Sequence, residues 1–228
     1  VFRTTDGGAT YSQVAKLTAD RALGHVAGDD FGDSVAIDGA TVVVGVKDDD
    51  DGGTDSGAAI IFRTSDGGAS YVKVAKLTAS DATSGDNFGI SVAIAGDIIV
   101  VGTNDKEAVY VFLTTDGGAT YGQVAKLTAS DAAANDYFGR SVAISAGIIA
   151  IGAMGDVEGG GFGSGSVYLF HTEDDGATWS EFAFLIASDA AAEDYFGSSV
   201  AISGVRVVVG AYKDDDAAGD SGAAYLFE

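Results

Sequence analysis

The sequence predicts an all-β fold, a β-propeller of four blades with four antiparallel strands in each, and three observations predict it. The dipeptide Phe-Gly recurs at Phe31-Gly32, Phe88-Gly89, Phe138-Gly139 and Phe196-Gly197, at intervals of 57, 50 and 58 residues. Each copy leads into two short apolar runs separated by a turn too tight to hold a helix, and two further strand-like runs complete the unit. Four antiparallel strands repeated radially at ~40 to 50 residues per blade is the period of a propeller.

The elements follow in a fixed order within each unit. Phe-Gly opens a run of the type Ser-Val-Ala-Ile, which ends in a turn at Asp38-Gly39, Gly96-Asp97, Ala146-Gly147 or Ser203-Gly204. The second run, such as Val42-Val43-Val44-Gly45, is β-branched and continuously apolar, which suits a strand buried on both faces. An acidic or Gly-rich loop precedes the third run: Ala59-Ile60-Ile61-Phe62, Val109-Tyr110-Val111-Phe112, Val167-Tyr168-Leu169-Phe170 or Ala224-Tyr225-Leu226-Phe227. A hairpin of the type D-G-G-A-T-Y then leads to a fourth strand of the type V-A-K-L-T-A. The glycine after each Phe is expected to let the inner strand approach its neighbour closely while the ring fills the gap between blades. Val1-Phe2 has the phase of a third strand, and so does Leu226-Phe227-Glu228. The last unit therefore lacks a fourth strand, and Val14 to Ala19 is a spare copy, which predicts one blade closed by both termini in a single domain spanning 1–228; an excerpt cut from a longer chain at a repeat boundary would show the same phase.

Composition removes several function classes. Twelve Lys and Arg stand against 34 Asp and Glu, a net charge of −22, and Arg3, Arg21, Arg63, Arg140 and Arg206 are scattered, so no nucleic-acid partner is expected. There is no Cys for a disulfide, a thiolate metal site or a nucleophile. No apolar run approaches the ~18 to 20 residues of a membrane span, so no membrane insertion is expected, and no segment reads as a secretory signal. His25 and His171 lack metal-ligand spacing, and neither a G-x-S-x-G elbow nor a P-loop occurs. A sialidase would need clustered Arg, and carboxylate pairs are too abundant to mark a glycosidase site. The sequence reads as non-catalytic.

Of the 34 acids 28 are Asp, which favours loops, and most fall in the connections between the second and third strands or between one unit and the next. In a propeller these open on one face, which becomes an acidic plate. Solvation accounts for such a plate. So does a cation: the segments D-D-D-D-G-G-T-D-S-G and D-D-D-A-A-G-D-S-G supply carboxylates, turns and a hydroxyl suited to calcium, which takes six to eight oxygens. Asp48, Asp50, Asp55, Asp214, Asp216 and Asp220 are the candidate calcium ligands.

One break in the repeat stands out. Lys16, Lys76 and Lys126 occupy one outer-strand position and Thr18, Thr78 and Thr128 another, whereas the strand after the third Phe-Gly unit carries Phe184 and Ile186 there. That apolar edge is expected to meet another copy, a flanking domain, or a covering part of the same chain.

The motif D-x-F-G-x-S-V-A-I, followed by Val44-Gly45, Val101-Gly102, Ile151-Gly152 or Val209-Gly210 and by S-G-A-A-Y-x-F, resembles the FG-GAP repeat family. Its integrin-type members are extracellular β-propellers used in adhesion and ligand binding. The resemblance covers essentially the whole chain and implies an extracellular or cell-surface module with a protein or glycan ligand on the acidic face. The chain departs in two ways. The family's Pro is absent, and Val46, Thr103, Ala153 and Ala211 follow the second-strand glycines; the interval that carries calcium in integrins is a hairpin too short to hold that loop. A second resemblance, to the Asp box, lies in Thr172 to Trp179 and in Thr4 to Tyr11, Thr64 to Tyr71 and Thr114 to Tyr121, where it implies a fold element. A lectin would place Tyr137, Tyr195 and Phe162 against sugars, although Asp30 and Asn87 stand where the two Tyr recur. A structural module of a surface assembly is the remaining alternative.

Overall fold

The computed structural model describes residues 1–18, 28–104, 106–216 and 219–228. Its regular structure among these residues is entirely β. Blade one holds β3 (Phe31–Asp38), β4 (Thr41–Val46), β5 (Ala58–Arg63) and β6 (Val72–Leu77); blade two holds β7 (Ser91–Ala95), β8 (Ile98–Gly102), β9 (Val109–Leu113) and β10 (Gly122–Leu127). Blade three holds β11 (Phe138–Ser145), β12 (Ile148–Ala153), β13 (Ser166–His171) and β14 (Ser180–Leu185). Blade four has three strands, β15 (Phe196–Ser203), β16 (Arg206–Ala211) and β17 (Ala223–Phe227). Within each blade the strands are antiparallel in sequence order, as short turns between apolar runs require.

The expected closure through both termini is corrected by the terminal strands. β1 (Phe2–Arg3) and β2 (Ser12–Gln13) pair with each other, Phe2 opposite Gln13 and Arg3 opposite Ser12, as a separate two-stranded sheet. Val1-Phe2 repeats the end of a third strand, so the spare fourth strand arrives with a partner of its own and is not added to β17. Val1 and Leu17 pack instead on the blade-one cluster of Val42, Val44, Ile60 and Phe62. The blades thus form an arc: β3 touches β7, β7 touches β11 and β11 touches β15, and no comparable contact joins β15 to β3.

Packing between blades uses two different sheet faces. The back of blade one offers Val43, Ala59 and Ile61 to the front of blade two, which offers Phe88, Val92, Ile99, Val101, Tyr110 and Phe112. The same division recurs between blades two and three and between three and four. Small and aliphatic backs therefore receive β-branched and aromatic fronts. Phe88, Phe138 and Phe196 are completely buried and stand edge-on to third-strand rings, Phe88 at 5.6 Å from Tyr110 and Phe196 at 5.3 Å from Tyr225.

The expectation for the Phe-Gly glycine holds at Gly89, Gly139 and Gly197 and not at Gly32, which has no neighbour packed against it among the described residues. Gly89, at φ +98°, has its α-carbon against the Ala58 carbonyl of blade one, leaving no room for a side chain. Its own carbonyl accepts a 2.6 Å hydrogen bond from Ser34 Oγ; Gly139 accepts likewise from Ser91 at 2.6 Å, and Gly197 from Ser141 at 2.7 Å. The second-strand glycines Gly45, Gly102 and Gly152 lie against these same carbonyls.

A methyl group at Gly152 would collide with the Gly197 backbone, whereas at Gly210 it would meet first the movable Ser199 hydroxyl. Gly152→Ala is expected to destabilise by about 1 to 3 kcal/mol, as overpacking does, and Gly210→Ala by clearly less. Denaturant unfolding of the two variants beside the parent chain checks the order.

Candidate functional site

The acidic face lies where connections from second to third strands meet connections from one blade to the next. Its acids fall into two populations. Asp29, Asp49, Asp86, Asp136, Asp156, Asp194 and Asp214 are buried, while Asp50, Asp55, Asp215, Asp216 and Asp220 are exposed. The buried ones are placed by the repeat. Asp86, Asp136 and Asp194, two residues before each Phe-Gly, cap their own loops by accepting from the Thr83, Ala133 and Ala191 backbone N–H groups at 2.7, 2.6 and 2.8 Å. Asp81, Asp131 and Asp189 accept from the hydroxyls of Tyr110, Tyr168 and Tyr225 at 2.6, 2.7 and 2.8 Å. The fourth residue after the second-strand glycine is Asp49, Lys106, Asp156 or Asp214.

That last position divides the blades. In blade one, Lys76 Nζ sits 2.7 Å from Asp49 and 2.5 Å from Asp51. Burial works against the Lys76 charge, but its hydrogen bonds to Asp49 and Asp51 outweigh burial and raise its pKa. In blade two Lys106 replaces the carboxylate and lies 2.7 Å from Asp86; Lys126 lies 2.7 Å from Asp81, and with Tyr110 lowers the Asp81 pKa to about 2. Blades three and four have acids without such lysines among the described residues. Tyr168 donates to both Asp131 and Asp156, and Asp136 nearby is raised by burial and then by repulsion from Asp156 and Asp131. Tyr225 bridges Asp189 and Asp214, and the charges of Asp189 and Asp214 raise Asp216.

The candidate calcium ligands lie on two separate blades. Asp48 pairs with Lys47 at 2.6 Å and accepts from Asn87 Nδ2 at 3.0 Å; Asp50 caps the Asp55 N–H at 2.8 Å. Asp55 and Asp220 turn the chain at φ +54° and +52°, and Asp214 accepts from the Asp216 N–H at 3.3 Å. Among the described residues no group of three or more His, Asp or Glu side chains is arranged to hold a metal ion. Asp20, Arg21, His25 and Asp105 lie outside the described residues.

The same face carries aromatic groups. Phe162 is 62% exposed in the loop between β12 and β13, and Tyr195 and Tyr212 stack at 5.4 Å with Lys213 5.0 Å above Tyr195. Tyr137 lies beneath Arg140 at 5.9 Å. At the outer edge of blade three, Phe184 packs 5.2 Å from Tyr168, and Ile186 lies below Gly159 of the same chain; both keep over a third of their surface exposed.

The match to family models is decisive. A model described as FG-GAP repeat covers residues 11–62, 71–112, 121–170 and 179–227. The chain belongs to the FG-GAP repeat family. Its four matched segments each run from an outer strand through the next Phe-Gly unit, so the repeat of this FG-GAP chain straddles the joints between its sheets. Among solved structures it is similar to Sqt1 of Saccharomyces cerevisiae, with a TM-score of 0.51 and 13% identity over 82% of this chain. It spans 44% of that longer chain, and the likeness is one of fold. No curated protein matches by sequence. Among the described residues no helix of this FG-GAP chain is long and apolar enough to cross a membrane.

In the sequence Lys76 and Lys126 read only as a polar outer edge, and neither their pairing with Asp49 and Asp81 nor the burial of Asp49 and Asp86 is visible there. Superposing the repeats position by position marks the column, since Lys106 then falls with Asp49, Asp156 and Asp214.

Two predictions follow from these charges. Lys106→Met strands the buried Asp86 carboxylate and is expected to lower stability by about 3 kcal/mol in denaturant unfolding. The second is a pH profile. On the opposite face, hydrogen bonds from Ser70 or Thr120 and from Thr64 or Thr114 hold Asp66 and Asp116 well below the usual carboxylate range. Their contribution is present above the unfolded value of about 3.9 and is lost as pH falls through the depressed folded values. Asp216 is raised, so its proton-bound form favours the fold and stability is lost as pH rises through its folded value. Thermal melts across pH should show Asp116→Asn flattening the acid limb and Asp216→Asn flattening the fall on the other side.

Proposed function

We propose that this chain is a non-catalytic binding and adhesion module of the extracellular space or cell surface, whose acidic face takes a protein or glycan partner. The observation that carries the reading is the division of labour on that face. The repeated acids are absorbed into loop caps and tyrosine clamps, while the residues that differ from blade to blade, Phe162, Tyr212, Lys213, Asp215 and Asp216, reach solvent. Variable side chains on a rigid repeated scaffold are the usual carriers of recognition. FG-GAP membership supports a binding role over a catalytic one.

Exposed Phe162 and the Tyr195–Tyr212 stack favour a partner with an apolar or sugar face. A glycan array and a pull-down from cell-surface extract, each with and without calcium, test this. Phe162→Ala with Tyr212→Ala is expected to reduce binding at least tenfold while leaving the melting temperature unchanged, because both side chains are more than half exposed. Unaltered capture by that variant would remove the acidic face from the reading.

Calcium belongs to the proposal through blade four, where the charges of Asp189, Asp214 and Asp194 raise the Asp216 pKa and a divalent cation would relieve that repulsion. Millimolar calcium is then expected to raise the melting temperature and chelator to lower it, with the response lost in Asp214→Asn combined with Asp216→Asn. Identical melts in calcium and chelator would leave solvation as the role of these acids.

A further inference from the structure

Blade three differs from blade one at one corner of the acidic face, and the differences fall together. The loops after β4 and β12 follow the same course: Ser56 Oγ donates to the Asp49 carbonyl at 3.1 Å, and Ser164 Oγ to the Asp156 carbonyl at 3.3 Å. Counted from these anchors, Val157 stands where blade one has Asp50, and Phe162 where it has Thr54. On the adjoining outer strand Phe184 pairs with Tyr168 as Lys76 pairs with Ile60, and Ile186 stands where blade one has Thr78. Four polar positions of one corner have become apolar.

The corner is a continuous piece of surface. Gly160 has no room for a side chain against the Ala190 carbonyl, so the loop lies close over the segment that follows β14. Gly159 rests on Ile186, the Phe162 carbonyl accepts from the Glu193 N–H at 2.9 Å, and Phe184 lies against the Tyr168 ring. Val157, Phe162, Phe184 and Ile186 are 54%, 62%, 38% and 37% exposed. That exposure belongs to the position in the repeat and not to an end of the chain. Blades two and four flank this corner, and the counterparts Asp50, Thr54 and Thr78 in blade one, like Lys126 and Thr128 in blade two, are exposed as well.

The charges around the corner are unmatched. In blade one the Lys76 ammonium lies 2.7 Å from Asp49 and 2.5 Å from Asp51. Asp156 and Glu158 occupy those two columns in blade three, and Phe184 takes the place of the lysine. Asp131, whose carboxylate accepts from Tyr168, is exposed beside them, as is Glu193. None of these four acids forms an ion pair among the described residues. We propose that this corner binds a basic, amphipathic segment of another polypeptide. Its apolar side chains cover Phe162, Phe184 and Ile186, and its lysine or arginine groups reach Glu158 and the acids beside it, as Lys76 does from within blade one. The proposal rests on the binding role of the acidic face and names the chemistry of the partner. An apolar patch rimmed by carboxylates is complementary to a partner of opposite charge. A second copy of this chain would set carboxylates against carboxylates, and a neutral sugar would leave the acids without a counter-charge.

The probe is a short synthetic amphipathic peptide of lysine and leucine, compared with oligolysine and with a glutamate-leucine peptide. Phe184→Lys with Ile186→Thr puts the residues of blades one and two into blade three, and is expected to melt like the parent because both side chains are partly exposed. This variant should bind the lysine-leucine peptide at least tenfold more weakly, whereas Thr128→Lys, which adds the same charge to the corresponding corner of blade two, should leave the affinity unchanged. Glu158→Gln with Glu193→Gln keeps the apolar corner intact and should also weaken the peptide, as should added salt. Oligolysine should bind less tightly and without distinguishing the variants, and the glutamate-leucine peptide should not bind. Equal affinity of the lysine-leucine peptide for the parent and for Phe184→Lys with Ile186→Thr overturns the proposal, because the attraction would then be to the acidic face at large. So does a glutamate-leucine peptide that binds as tightly, or a concentration-dependent dimer of the parent in sedimentation that this variant loses, which would make a second copy the occupant. If Phe162→Ala with Tyr212→Ala meanwhile loses its capture from cell-surface extract, the binding role stands and only the basic partner falls.

Discussion

The architecture depends on one constraint: at each of the three joints the α-carbon of the Phe-Gly glycine must touch the backbone of the preceding blade. Gly89, Gly139 and Gly197 meet that demand at positive φ, and once they do, the following strand, the serine hydrogen bond and the buried ring are all positioned. The phenylalanine then buries completely, at roughly 25 cal/mol per Å² of apolar surface removed from water. Stability is accordingly a sum over joints, each involving only adjacent blades, as in other repeat proteins. This explains why blade one can keep an orderly sheet although its front is half open. Its back makes a complete joint, and β4 is buried along its whole length.

Much of this was legible in the sequence because the repeat is strict where packing is strict. The Phe-Gly spacing, the continuously apolar second runs and the Asp-box hairpins gave four sheets in the right order, and Asp116 with Thr114 and Thr120 forms the turn network that such a hairpin implies. Closure was misread for a physical reason. Phase shows which strand a segment resembles, but not which edge it pairs with, and a short hairpin partner such as β1 is nearer in sequence than β17. The division of the acids into buried and exposed groups was also hidden, since an Asp in a turn reads the same whether its carboxylate faces water or a neighbouring tyrosine.

The acidic face is thus less uniform than a net charge of −22 implies. Asp81, Asp131 and Asp189 tie the entrance of a blade to a tyrosine in its third strand, and Asp86, Asp136 and Asp194 hold the loops that lead into the Phe-Gly turn. These carboxylates are structural. What remains exposed is a smaller set of side chains on the longer loops, where neighbouring blades differ in length and chemistry. Buried scaffold and exposed loops share one residue type, distinguished by whether tyrosine, lysine and backbone N–H groups have already claimed the carboxylate oxygens.

The placement of Lys76, Lys106 and Lys126 has a consequence for how such a chain can change length. Blades one and two carry ammonium groups among their own buried acids, whereas blades three and four leave theirs to repel one another. The units therefore share a backbone plan without sharing a charge balance. Gene duplication of the second unit would insert a module whose Asp81 and Asp86 already face Lys126 and Lys106. Copying the fourth would add a further knot of unmatched acid, so growth of the array is electrostatically cheaper from its lysine-bearing half.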